Sequence, residues 1–148
     1  MRGEFRNTID EKGRLMIPPR LREQLGTSVE LVLTKSLDNA LWLFTAEDFD
    51  NFDNQVNGDS MSLLDSNATL INRLIISPAR DVELDKTGRL SIPQVLRDFA
   101  GLEPKSECVI LGSRTHVEIM SAKAYDDMLI REQGNLKAAG NALTQRGR

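Results

Sequence analysis

The feature that most constrains this chain is an internal repeat. Residues 10–22 read Asp-Glu-Lys-Gly-Arg-Leu-Met-Ile-Pro-Pro-Arg-Leu-Arg, and residues 85–97 read Asp-Lys-Thr-Gly-Arg-Leu-Ser-Ile-Pro-Gln-Val-Leu-Arg. Eight of these thirteen positions are identical at an offset of 75. The similarity continues more weakly downstream. Gly26 matches Gly101, the segment 31–33 resembles 109–111, 41–44 resembles 117–120, and Phe49 pairs with Tyr125. The 148 residues are therefore two copies of one supersecondary unit, roughly 5–50 and 80–126.

Each unit can be read from its local chemistry. Phe5 to Ile9 and Val82 to Leu84 are short and partly alternating, as strands are. A tight turn follows, centred on Gly13 or Gly88, where glycine supplies the positive φ that such a turn needs. Arg14 to Ile17 and Arg89 to Ile92 are the return strands, with Leu and Ile directed inward. Pro18 or Pro19, and Pro93, stand where a short helix begins, and Gly26 and Gly101 where it ends. Two hairpins complete the units, Val29–Leu33 with Ala40–Phe44 and Cys108–Leu111 with His116–Met120. Each unit is β-β-α-β-β.

One such unit cannot bury a core alone, whereas two related by a pseudo-two-fold can. The expected fold is α+β and mainly β: a swapped-hairpin barrel, also described as a double-split barrel, with flanking helices. Its organisation is a first repeat over 1–50, a helical spacer over 51–78, a second repeat with a closing helix over 79–132, and a loosely held tail over 133–148. Within the spacer, Leu63, Leu64, Leu70, Ile71, Leu74 and Ile75 recur at helical spacing, ended by Ser77-Pro78. Thr45 to Asn54 starts a further helix, with Glu47 and Asp48 in its first turn.

Charge is unevenly distributed along the chain. Residues 1–22 carry Arg2, Arg6, Lys12, Arg14, Arg20 and Arg22 against three acids. Residues 36–72 hold seven acids and neither Lys nor Arg. A local basic patch can thus bind phosphate although the net charge is −3. One cysteine, Cys108, and one histidine, His116, make neither a disulfide framework nor a Cys/His metal cluster. No apolar run approaches the ~20 residues that span a bilayer, and the polar opening does not read as a signal peptide. A cytoplasmic protein without cofactor, membrane partner or small-molecule substrate is expected.

The paired motif Asp-x-x-Gly-Arg-Leu-x-Ile-Pro-x-x-Leu-Arg resembles that of the MraZ family, within the wider AbrB/SpoVT-like superfamily. The opening Met-Arg-Gly-Glu-Phe and the helical spacer fit as well. The family signature, Asp-x-x-x-Arg, occurs intact as Asp10 to Arg14 and as Asp85 to Arg89. The resemblance implies a non-enzymatic, nucleoid-associated transcriptional regulator. It would bind repeated promoter sites in double-stranded DNA as a ring-like homo-oligomer. It would control the division and cell-wall gene cluster, its own gene included.

The residues themselves suit such contacts. An Asp that fixes an Arg across a turn can orient the guanidinium toward phosphate or toward guanine O6 and N7. Lys12 and Lys86 add charge at the turns, and Arg2, Arg6 and Arg20 make the first copy the more basic. The candidate DNA-binding set is therefore Asp10, Lys12, Arg14, Arg2, Arg6, Arg20, Asp85, Lys86 and Arg89, with the first copy as the main face. The Asp–Arg pairs could instead only staple the swapped hairpins. Arg22 and Arg97 read as packing residues of the short helices. Trp42 reads as core or subunit interface. Two other functions remain open from sequence: an antitoxin-like dimeric regulator, and a structural oligomer that uses the barrel as scaffold.

Overall fold

The structure is a computed structural model that describes residues 1–26, 30–58 and 62–146. The first repeat runs β1 (Arg2–Thr8), β2 (Arg14–Met16), α1 (Pro19–Leu25), β3 (Leu31–Lys35), β4 (Leu41–Thr45) and α2 (Ala46–Asn57). A 3-10 turn (Ser62–Leu64), α3 (Ser66–Ile71) and a π-helical turn (Asn72–Ile76) form the spacer. The second repeat runs β5 (Arg80–Val82), β6 (Arg89–Ser91), α4 (Gln94–Ala100), β7 (Glu107–Ser113), β8 (His116–Ser121) and α5 (Ala122–Glu132), followed by α6 (Leu136–Arg146).

The repeats interleave. Six strands form one antiparallel sheet in the order β1-β7-β8-β4-β3-β5, and β2 pairs with β6 in a separate ribbon. Exchanging the repeats maps that order onto itself, so a pseudo-two-fold passes between β8 and β4. The two hairpins fill the centre of the sheet, and each is flanked by the first strand of the other repeat. The ribbon likewise takes one strand from each. This is the α+β swapped-hairpin barrel expected from the repeat.

The core follows the same symmetry. Leu15, Ile17, Leu21 and Leu43 of the first repeat meet their counterparts Leu90, Ile92, Leu96 and Ile119 in one buried cluster. Thr45 and Ser121 cap α2 and α5 by accepting the Asp48 and Ala124 N–H groups. Cys108 is fully buried, and desolvation pushes its thiol up to about 11. Trp42 packs edge-on against Phe44 and Phe52, and its indole N–H donates to Glu118 over 3.3 Å.

Several local expectations shift. β1 begins at Arg2 rather than Phe5, because the whole strand lies along β7. Val29 falls outside the described residues. The spacer helix runs unbroken over 66–76, α as far as Ile71 and π from Asn72, after a separate 3-10 turn, and of its periodic apolar residues Ile75 is buried and Ile71 half-buried. The segment expected as a loose tail contains an eleven-residue helix, α6, all of whose residues are exposed.

Candidate nucleic-acid interface

Both Asp-x-x-Gly-Arg turns are built alike. Asp10 N–H donates to the Arg14 carbonyl over 2.9 Å, and Gly13 N–H returns to the Asp10 carbonyl over 3.1 Å. The corresponding bonds at Asp85, Arg89 and Gly88 measure 2.9 Å each. The glycines have φ of +78° and +90°, which a Cβ would disfavour. The Asp10 carboxylate accepts from the backbone N–H groups of Lys12 and Arg14 and from Arg14 Nε, the last at 2.8 Å. Asp85 accepts from the N–H groups of Thr87 and Arg89, from the Thr87 hydroxyl, and from Arg89 Nε at 2.9 Å. These donors, led by the backbone N–H of the arginine, hold both carboxyls below their usual range.

Each aspartate therefore orders its turn and fixes one edge of a guanidinium. Among the described residues the Nη groups of Arg14 and Arg89 make no hydrogen bond, and both side chains are about one-third exposed, at 29% and 33%. They are neither sealed in the barrel nor loose on its surface.

The ribbon brings the two turns together. Arg14 pairs with Ser91, Leu15 with Leu90, and Met16 with Arg89. Side chains alternate along a strand. Leu15 and Leu90 point into the core with no exposure, so Arg14, Met16, Arg89 and Ser91 share the outer face. Arg14 and Arg89 are diagonal neighbours on that face, with Cα atoms about 7–8 Å apart. First and second copies are thus two halves of one surface.

Two further arginines join it by crossing between repeats. Arg22 Nε donates to its own repeat's Ile17 carbonyl at 3.0 Å, and Arg97 Nε to Ile92 at 2.9 Å. Each guanidinium then lies against the other repeat's turn glycine. A Cβ on Gly13 would sit 2.7 Å from Arg97 Cζ, and one on Gly88 2.5 Å from Arg22 Cζ. Ile17 N–H donates to Gly88 and Ile92 N–H to Gly13, both over 3.0 Å, closing the same lock. Sequence reading put these arginines on their own helices. The only signal that could place them across the barrel was their identity in both copies.

The other expected residues are more dispersed. Lys12 and Lys86 are exposed on the turns. Glu11, beside Lys12, is paired with Lys105 at 2.7 Å. Arg20 is exposed in the first turn of α1. Arg6 is engaged by Asp126 at 2.8 Å and Glu107 at 3.0 Å, which hold its guanidinium firmly protonated. Arg2 stands at the far end of β1, roughly 20 Å from Thr8 at about 3.3 Å per residue. The structure therefore joins Asp10, Arg14, Asp85 and Arg89 and leaves Arg2 and Arg6 outside that group. Among the described residues no cluster of three or more His, Cys, Asp or Glu is placed to hold a metal ion. No described helix is long and apolar enough to cross a membrane.

Comparison with known proteins gives this duplicated architecture a family. The model described as "MraZ protein, putative antitoxin-like" matches twice, over residues 1–74 and 75–147. The chain belongs to the MraZ family. A Treponema denticola protein named transcriptional regulator MraZ is 40% identical over 147 residues, 99% of each chain. A Symbiobacterium thermophilum protein of the same name is 42% identical over 123 residues, 83% of this chain and 85% of its own. One from Treponema pallidum is 37% identical over 141 residues, 95% and 92%. The two MraZ matches meet between Leu74 and Ile75, inside the spacer, so each contains one Asp-x-x-Gly-Arg turn and one strand of the ribbon.

Proposed function

We propose that this MraZ-family chain is a sequence-specific, DNA-binding transcriptional regulator, not an enzyme, that works as a ring-like homo-oligomer in the cytoplasm, associated with the nucleoid. Its targets are short repeated sites in the promoter of the division and cell-wall gene cluster, upstream of its own gene. The observation that carries the reading is the outward face of the β2–β6 ribbon, with Arg14 and Arg89 each clamped by an aspartate.

The geometry suits duplex DNA. The major groove, about 12 Å wide, admits a two-stranded β-ribbon. The ~7–8 Å diagonal between Arg14 and Arg89 is close to two base-pair steps of ~3.4 Å. With Nε held by Asp10 or Asp85, the Nη donors remain for guanine O6 and N7 or for phosphate. Arg22, Arg97, Lys12 and Lys86 surround the face with further positive charge suited to the backbone. One chain offers few contacts, so affinity grows when identical faces engage repeats spaced about one helical turn, ~10 bp, apart.

The test is a gel shift with DNA from upstream of its own gene at two salt concentrations, beside a sizing column. Retardation that weakens with salt, by an oligomer, supports the reading. No retardation at low salt favours a structural oligomer, and a dimer mass favours the antitoxin-like alternative.

A further inference from the structure

Among the described residues, helix α6 packs its length against no other element. All eleven residues from Leu136 to Arg146 are exposed, Leu136 by 79% and Leu143 by 62%. Helices shorter than ~12–15 residues are marginal in water even when rich in alanine, and Gly140 weakens this one further. Leu136 and Leu143 are seven residues apart and lie on one face. A helix of this length with an apolar stripe is stabilised by what it packs against.

The spacer presents a matching surface. Leu63, Leu64, Leu70 and Leu74 are 86%, 78%, 52% and 49% exposed, and Leu70 and Leu74 are one helical turn apart. The charges are complementary. Helix α2, which packs beside the spacer, carries Glu47, Asp48, Asp50 and Asp53, and the spacer itself sets Asp65 against Arg73, whereas residues 133–148 carry Lys137, Arg146 and Arg148 and no acid. Apolar contact supplies the attraction, and opposite charge supplies the choice of partner.

We propose that α6 of one copy docks on the spacer of a second copy, with Leu136 and Leu143 seated on Leu63, Leu64, Leu70 and Leu74. The contact joins two different surfaces, so each copy gives one helix and receives another, the head-to-tail arrangement from which a ring is built when the rotation between copies closes. This inference rests on the homo-oligomer reading above and assigns part of its interface.

Cysteine cross-linking tests it on the full-length protein. The one native thiol, Cys108, is buried, so introduced cysteines are the reactive ones. Chains carrying Leu143→Cys and chains carrying Leu70→Cys, differing in tag size, are mixed and oxidised. A disulfide joining the two different chains is expected. A disulfide between two Leu143→Cys chains, or one formed only when both cysteines occupy the same chain, would overturn the docking. In parallel, the surface variant Leu136→Glu/Leu143→Glu should need about a tenfold or higher concentration to remain assembled, as judged by light scattering. Wild-type oligomer with neither cross-link nor a shift in assembly removes the docking but leaves the homo-oligomer. A monomeric wild type removes both.

Discussion

Replacing Gly88 with alanine should strike the opposite repeat. The new Cβ would lie 2.5 Å from Arg22 Cζ and 2.7 Å from Arg22 Nε, so the guanidinium must leave. Two costs follow. Holding alanine at φ +90° costs roughly 1–2 kcal/mol. Breaking the charge-assisted bond from Arg22 Nε to the Ile17 carbonyl costs about 1.5–3 kcal/mol. Together they give roughly 2.5–5 kcal/mol. At about 2–4 °C per kcal/mol, the melting temperature falls by roughly 5–20 °C. The diagnostic is a double-mutant cycle followed by thermal unfolding. In an Arg22→Ala background Gly88→Ala should retain only its backbone cost, a coupling of about 1.5–3 kcal/mol. In an Arg97→Ala background its effect should be additive within about 0.5 kcal/mol. Coupling to Arg97, or to neither arginine, would refute the crossed lock and with it the interleaving of the ribbon.

Other outcomes are equally specific. Lys12→Ala should reduce the slope of log K against log salt by about 0.9, the share of one neutralised phosphate, and an unchanged slope would take Lys12 off the DNA. A probe with two promoter repeats should bind about 10²–10⁴-fold more tightly than a one-repeat probe, and equal affinities would remove the avidity argument. Asp10 and Asp85 have lowered folded pKa values, so their contribution is complete above the ordinary carboxylate value of about 4 and is lost as pH falls below it. The urea midpoint of the wild type should therefore drop more steeply below pH ~4 than that of Asp10→Asn/Asp85→Asn; parallel curves would mean these carboxylates do not stabilise the turns.

Much of the architecture was legible because the sequence states it twice. The paired Asp, Gly and Arg identified the turns, the paired prolines and glycines bounded α1 and α4, and the alternation over 41–44 and 117–120 marked the hairpins. Periodicity also exposed Leu15 and Leu90 as inward neighbours of outward arginines. What local pattern does not carry is the partner. Nothing near Arg22 says that it rests on Gly88, 66 positions away, because that contact arises from the swap. The first copy looked the more basic because Arg2 and Arg6 are close in sequence. In the fold, Arg6 faces Asp126 and Glu107, and Arg2 lies at the other end of its strand. The spacer misled for a related reason. Its leucines have helical spacing, but their exposure shows that this period does not describe packing within one chain.

The most direct test of the account is the affinity of Arg14→Ala for the DNA upstream of its own gene, measured beside its mass and melting temperature. A loss of about 1–3 kcal/mol, roughly 5- to 150-fold, per contacted site is expected, with assembly and melting unchanged. Unaltered affinity, or an assembly that falls apart when Arg14 is removed, would show that the clamped guanidinium staples the barrel and does not read DNA.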